Sequence, residues 1–549
     1  MSRHFIRRAG FVAGASLLAL SLAACGNDGD FDVSQQIGPD PVLPEPNQPL
    51  IADTKLAEVV GWQEGETPTV PDGLVVTAYA RDLANPRTVH TLPNGDVLVV
   101  QSRGPSGGVI DRPKDIIRGW IMSLAKGGGG GEPKESNLIT LLRDTDRDGQ
   151  VDERHDLLTG LNSPFGVAYA DDTLYVAATD AILAYPYRLG ENEITAAPRV
   201  LTPLPGGPIN HHWTKDLALS PDGRFLYASV GSNSNAAERG MEAEKGRAAI
   251  WQVDRATGAA RVFASGLRNP NGLTFHPESG VLWAVINERD ELGPNLVPDY
   301  MTSVQEGAFY GWPWSYYGQH VDPRIMPKRP EMVEKAIAPD YALSSHVAAL
   351  GLTFSAGSAL PEAYRNGAFV GEHGSWNRSF FNGYKVVYIP FENGRPSGMA
   401  RDVVTGFLDG DRARGRPVGV GIDGTGALLV ADDAGNTVWR VAAADGSVTP
   451  QPIGTDMASA EAPAAATDAA APAEAAPADG PGNTDSASPG TDPEGAAPAD
   501  AATPPASAEE PAAVPEPSGA TEGRAEPSQT EIAPAVLPEG TVEGETQQQ

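Results

Sequence analysis

A turn-and-strand theme recurs six times between Asn85 and Asp433. Each copy opens in a turn rich in Asn, Pro or Gly, runs through a short strand, turns on Asp or Gly, and returns through a second strand. The copies read NPRTVHTLPNGDVLVVQS from Asn85, SPFGVAYADDTLYVAATD from Ser163, NHHWTKDLALSPDGRFLYASVG from Asn210, NPNGLTFHPESGVLWAVINE from Asn269, ALGLTFSAGSALPEAYRNGAFVGEH from Ala349 and RPVGVGIDGTGALLVADD from Arg416. A single hairpin cannot bury its apolar face, so copies of this kind stack on one another. Helical periodicity is nearly absent. The pattern predicts an all-β fold, a six-bladed β-propeller.

The third copy shows the local logic. Pro221-Asp222-Gly223 separates two β-favouring runs; Pro presets φ and Gly supplies a positive φ. Leu217 to Ser220 and Phe225 to Val230 are therefore expected to pair as antiparallel strands. His211, His212 and Lys215 sit at the mouth of the first of them, where a propeller places its binding groups. The plain alternative is a loop whose histidines only stack or hydrogen-bond. The run from Leu74 to Tyr79 is placed to pair with the last copy and close the ring. Two long connections interrupt the repeats: Arg103 to Arg154, with glycines at Gly127 to Gly131, and the aromatic FYGWPWSYYGQH from Phe309 to His320. The second reads as a packed lid or pocket wall.

Composition removes both ends from the fold. Residues 1–24 carry Arg3, Arg7 and Arg8 and then an apolar run too short to span a membrane, the pattern of a signal peptide. Arg7-Arg8 is also a weak twin-arginine match. Leu22-Ala23-Ala24-Cys25 resembles a bacterial lipobox, which implies cleavage before Cys25 and lipidation of that residue. Cys25 is the only cysteine of the chain, so no intramolecular disulfide can form. The chain is expected to be exported and held to a bacterial membrane by lipid alone, facing the periplasm. Residues 25–50 read as a disordered linker, 51–444 as the propeller domain and 445–549 as a disordered tail. From Gln451 the tail has 18 acidic residues against Arg524, which is −17 of the formal −31. So polar a segment cannot offset its ordering entropy. The acidity argues against nucleic acid as a partner, since that needs clustered positive charge.

Asp144-Thr145-Asp146-Arg147-Asp148-Gly149 matches the start of a calcium loop, with carboxylates at alternate positions. The twelfth position is His155 rather than Glu. The alternative is an Asp-rich solvated turn.

The mouth motifs, in order, resemble the quinoprotein glucose/sorbosone dehydrogenases, most closely the L-sorbosone-dehydrogenase-like branch. They are His212 followed by the Pro-Asp-Gly hairpin, GLRNPNGL at Gly266 to Leu273, Gly293-Pro294, YGWP at Tyr310 to Pro313, GYK at Gly383 to Lys385, and ARGRPVGV at Ala413 to Val420. The resemblance implies pyrroloquinoline quinone (PQQ) and calcium as cofactors, and oxidation of an aldose or sugar aldehyde by hydride transfer to PQQ, with an unidentified electron acceptor downstream. It makes His212 the general base, with His211 open as an alternative. It makes Arg268 and Asn269 donors to the quinone oxygen, and the carbonyls of Gly293 and Pro294 the calcium ligands. Arg268, Lys385, Arg414 and Arg416 would supply cations to the carboxylates of PQQ, for which the planar fork of arginine is suited. The alternative for these four is a set of surface salt bridges. Asp290 and Asp299 are candidate outer calcium partners. His346, His373 and Trp376 fall on mouth-side loops. Two other classes compete: a lactonase-type hydrolase, whose metal would need carboxylates at the mouth, and a catalytically silent lipoprotein that binds a partner.

Overall fold

Ser220 and Arg224 close the turn of the third copy around Asp222. The Ser220 hydroxyl donates to Asp222 Oδ1 at 2.5 Å, the Arg224 amide donates to the same oxygen at 3.0 Å, and Gly223 takes φ +69°. The strands Leu217–Leu219 and Phe225–Val230 pair antiparallel, with Leu219 opposite Leu226. This is the expected hairpin, and its relatives repeat through the chain.

A computed structural model describes residues 31–48, 53–105 and 136–446. These lie in the first of two units, Met1–Thr467; the second, Asp468–Gln549, is outside the described residues. The expectations for the signal peptide, Cys25, the Gly127 to Gly131 run and the acidic tail likewise fall outside them. Among the described residues no helix is long and apolar enough to cross a membrane, and the one α-helix is Pro330–Val333.

The described residues are nearly all β. Six sheets of four or more strands follow the six copies, each a meander whose first strand is the opening strand of its copy: Pro86–Thr91, Val167–Ala170, Leu217–Leu219, Pro270–Phe275, Ala349–Phe354 and Pro417–Ile422. Residues of all six strands line one cavity of about 560 Å³. The sixth sheet takes its outer strand from far upstream, for Leu74–Ala80 pairs antiparallel with Thr437–Ala443. Each neighbouring pair of sheets shares an apolar cluster. Leu98, Val100, Leu174 and Val176 join the first and second; Trp283, Phe354, Val370 and Ile389 join the fourth and fifth; Val89, Val99, Leu429 and Val438 join the sixth back to the first. The second strands are buried on both faces, as in Val97–Gln101 and Gly367–Glu372, which explains their near-continuous apolar sequence.

The aromatic connection is packed, as expected. Tyr310, Trp312, Tyr316 and Tyr317 are buried, and Trp312 Nε1 donates to Asn235 O at 3.0 Å. The N-terminal linker needs a correction. Residues 31–48 lie on the fourth sheet, where Ile37–Gly38 adds a strand antiparallel to Tyr341–Ser345 and Gln36 is wholly buried. Its Asp, Pro and Gln content reads as solvent-facing. Docking here is won by backbone pairing, by one amide side chain with buried partners and by two isolated apolar side chains, Ile37 and Leu43, packed on neighbouring cores, none of which makes a hydropathy pattern.

Candidate active site

The start of each inner strand and the end of each second strand meet at one mouth, which gathers the chemistry-bearing side chains. His212 precedes the inner strand of the third sheet. Its Nδ1 lies 2.9 Å from Ser232 O and 3.0 Å from Ser232 Oγ. A carbonyl can only accept, so Nδ1 carries the proton and the lone pair of the neutral ring is on Nε2. His211 is exposed and meets the His212 ring edge-on at 4.7 Å. His212 is thus a ring whose tautomer the fold sets.

Asn269, at the entry to the fourth sheet, is its neighbour across Gly231. A Cβ added at Gly231 would stand 2.6 Å from His212 Cβ and clash with Asn269 Oδ1. Glycine there lets the two side chains approach. Asn269 Oδ1 is buried and has no hydrogen-bond partner. A buried amide oxygen left without a partner costs roughly 1–3 kcal/mol, so such an atom beside His212 marks a ligand position.

Arg268 behaves differently from the expectation. Its guanidinium donates to Asn235 O and Oδ1 at 3.2 and 2.9 Å, to Asn287 O and Glu288 O at 3.2 and 2.7 Å, and pairs with Asp290 at 3.3 Å. These use all five N–H groups of an arginine. Arg268 ties the mouth loops together, and a bond to a quinone oxygen would have to replace one of these. Asp290 continues the chain to His346 Nδ1 at 3.4 Å, and His346 Nε2 lies 3.3 Å from Gly293 O. Pro294 O lies 3.3 Å from the Ser345 hydroxyl. Asp299 is buried beside them and accepts the amides of Glu288 and Ala348 at 2.7 and 2.6 Å.

Arg416 enters the sixth sheet. Its Nε and Nη2 donate to His373 O and Gly374 O, each at 3.0 Å, and its guanidinium lies 5.3 Å over the Tyr384 ring. His373 Nε2 is 2.9 Å from Asp433 Oδ1. Burial, then the Arg416 charge, holds His373 down to about 4, so the ring is neutral and donates to an ionised Asp433. Asp433 also accepts from Arg87, whose guanidinium lies 5.8 and 5.9 Å from the Phe165 and Trp213 rings and whose Nε is buried without a partner. Arg87 escaped the sequence reading. The signal was there: Asn85-Pro86 opens the first copy as Asn269-Pro270 opens the fourth, which puts Arg87 at the mouth.

The structure does not bring Lys385 or Arg414 into this group. Lys385 Nζ pairs with Asp402 on the outer strand of the fifth sheet at 2.7 Å. Arg414 pairs with Asp409 at 3.1 Å and Glu66 at 3.6 Å. For these two the salt-bridge alternative describes what is observed. Trp376 offers its carbonyl to the Lys55 amide at 3.1 Å.

Opposite Lys385 on the neighbouring strand is Glu372, buried, with Oε2 unpartnered. Burial pushes its carboxyl up to about 8 despite the Lys385 charge. The folded chain therefore holds this proton more tightly than the unfolded chain. The stability it contributes is complete below about pH 4.5 and is lost as pH rises through 8. Glu372→Gln is expected to flatten the fall of melting temperature across that window. Superimposable pH profiles for parent and variant would rule this out.

The Asp144 turn joins the third and fourth strands of the first sheet. Carboxylate oxygens of Asp144, Asp146 and Asp152 lie within 4.8 Å of one another. They are occupied in holding the turn: Asp144 accepts the amides of Gly149 at 2.7 Å and Asp148 at 3.2 Å, and Asp152 accepts that of Thr145 at 2.7 Å. His155 pairs with Glu153 at 3.1 Å.

Comparison with known proteins agrees with the mouth motifs. The family described as Glucose / Sorbosone dehydrogenase matches residues 167–437. An uncharacterised protein of Borreliella burgdorferi is 30% identical over 294 residues, 51% of this chain and 76% of that protein. Among solved structures, the holo form of a pyranose dehydrogenase PQQ domain from Coprinopsis cinerea is 19% identical with a TM-score of 0.56, covering 70% of this chain and 100% of that one. A calcium structure of a Trichoderma reesei protein of Carbohydrate-Active Enzymes Family AA12 is 18% identical with a TM-score of 0.54, covering 71% and 98%. At these identities the structures show likeness of fold.

Proposed function

The chain belongs to the glucose/sorbosone dehydrogenase family, and on that basis we propose that it is a six-bladed β-propeller dehydrogenase that oxidises an aldose or a sorbosone-like sugar aldehyde with PQQ and calcium. The observation that carries this is His212, its Nδ1 proton held by Ser232 and its ring packed across Gly231 from the unpartnered Asn269 amide. When bound, PQQ supplies a hydride acceptor and calcium a Lewis acid.

The residues present fit both groups. Asn269 Oδ1 is a buried acceptor open to a ligand N–H or to a substrate hydroxyl, and Arg87 has a buried Nε without a partner to donate to an anion. Arg416 is held by two carbonyls through Nε and Nη2, which leaves Nη1 to donate. Arg87 and Arg416 are thus the cations for the carboxylates of PQQ, in place of Lys385 and Arg414. Pro294 O has one long contact, the Ser345 hydroxyl, and keeps a lone pair for a hard cation, whereas Gly293 O is met at 3.3 Å by both His346 Nε2 and the Leu296 amide and would give up one of these to bind it. His212 Nε2 takes the proton of the substrate hydroxyl, or of an aldehyde hydrate, as the C–H hydride leaves. The neutral His373 and ionised Asp433 hold Arg87 and Arg416 in register and add a negative charge that keeps the mouth from being uniformly cationic.

The test is titration of purified protein with PQQ and calcium, followed by a panel of aldoses and aldehydes with an artificial dye. Saturable PQQ binding with sugar-dependent dye reduction is expected. A protein that binds no PQQ in the presence of calcium removes this reading. Localisation is proposed on Cys25 after Leu22-Ala23-Ala24: an exported lipoprotein facing the periplasm. Cys25→Ser is expected to move the protein from the membrane to the soluble fraction with activity intact; a variant still sedimenting with membranes would count against it.

A further inference from the structure

The carbonyls of Gly293 and Pro294 belong to a loop that is fastened from outside the repeats. Asn47 N donates to Leu292 O at 2.9 Å, and the buried Gln36 donates through Nε2 to Asn295 O. From the other side Arg378, also buried, donates through Nη2 to Asn295 Oδ1 at 2.7 Å. Gln36 and Arg378 also meet at Ser345, whose hydroxyl has one proton. That oxygen already accepts from Arg378 Nη1 at 2.7 Å. Two acceptors compete for its proton: Gln36 Oε1 at 3.0 Å and Pro294 O at 3.3 Å. The shorter bond wins at equal chemistry, and both acceptors are amide carbonyls. With Gln36 in place the hydroxyl proton turns to Oε1, and Pro294 O, though 3.3 Å from that oxygen, does not receive it. Without Gln36 the same hydroxyl has Pro294 O as its remaining acceptor.

We propose that Gln36, on the N-terminal strap, is a positioning residue for the cation site: it takes the Ser345 proton and pins Asn295 O, so that the Pro294 carbonyl stays open to a calcium ion. This rests on the assignment of Gly293 and Pro294 as cation ligands under the proposed function. Residues that orient metal ligands typically change affinity by roughly 10–100-fold when removed, so an effect at the low end suits a single carbonyl among several ligands.

The experiment is isothermal titration of the full-length protein with calcium chloride, with and without PQQ, on parent, Gln36→Ala, Ser345→Ala and the double variant. Melting temperatures in chelator check that each is folded. Gln36→Ala is expected to bind calcium about tenfold more weakly, and Ser345→Ala close to the parent. The double variant is expected to recover most of the loss, because no hydroxyl remains to cap Pro294 O. A strap that only stabilises the fold would give no recovery, and that result overturns the proposal, as does a Gln36→Ala affinity equal to the parent's. Should Gln36→Ala fold poorly, Gln36→Met, of similar volume and without an acceptor, carries the same expectation. Failure of the underlying assignment is seen separately, since PQQ would then leave the calcium binding of the parent unchanged.

Discussion

His212→Ala, saturated with PQQ and calcium, is expected to reduce dye about 10²–10⁴-fold more slowly than the parent with sugar as donor, the usual weight of a general base. The variant should bind PQQ as the parent does, because the ring is anchored on Ser232 and Gly231 rather than on the cations of the mouth. His211→Ala is the control and should be mild, since that ring is exposed and meets His212 edge-on. The loss should be in kcat more than in KM, because the proton moves only as the reaction proceeds. Stopped-flow traces that give His212→Ala the parental rate would remove it as the base. A His211→Ala defect larger than that of His212→Ala would transfer the role.

The opposite phenotype is expected of Arg416→Ala. Its fork is oriented by the carbonyls of His373 and Gly374 and by the Tyr384 face, so truncation removes a preorganised cation rather than a reacting group. A charge-assisted hydrogen bond is worth roughly 1.5–3 kcal/mol, or about ten- to a hundredfold in PQQ affinity. Fluorescence titration should show that weakening, and excess PQQ should restore most of the turnover. Arg416→Lys should fall between, retaining charge without the fork. Unchanged PQQ affinity in Arg416→Ala would mean that Arg87 alone serves the carboxylates, or that the cofactor lies elsewhere.

What could be read from the sequence was whatever contiguous residues decide. The Pro221-Asp222-Gly223 turn and the alternation around it specify a hairpin wherever they occur, and six copies specify stacked sheets. The pairing of Leu74–Ala80 with Thr437–Ala443 was legible because the last copy lacked its outer strand. His212 and Asn269 were legible as mouth residues because each directly precedes an inner strand. Which way a mouth side chain points is a different matter, because it depends on pleat parity and on what the next sheet presents. Lys385 begins a strand two residues before Val387, which packs into the seam between the fourth and fifth sheets. Side chains two apart share a face, so Lys385 is turned toward that seam and reaches Asp402 rather than the axis. Arg268 is bound by Asp290, 22 residues downstream, and Arg414 both by the sequence-local Asp409 and by Glu66, several hundred residues upstream, which only folding brings near. Gln36 is the extreme case. Nothing in a Pro- and Asp-rich stretch distinguishes a linker from a strap, because the difference is whether Ser345 and Asn295, more than 250 residues away, present partners at the right spacing. Local chemistry wrote the hairpins; only the tertiary structure decided which charges neutralise one another and which remain for a ligand, since that is settled by distances between sheets.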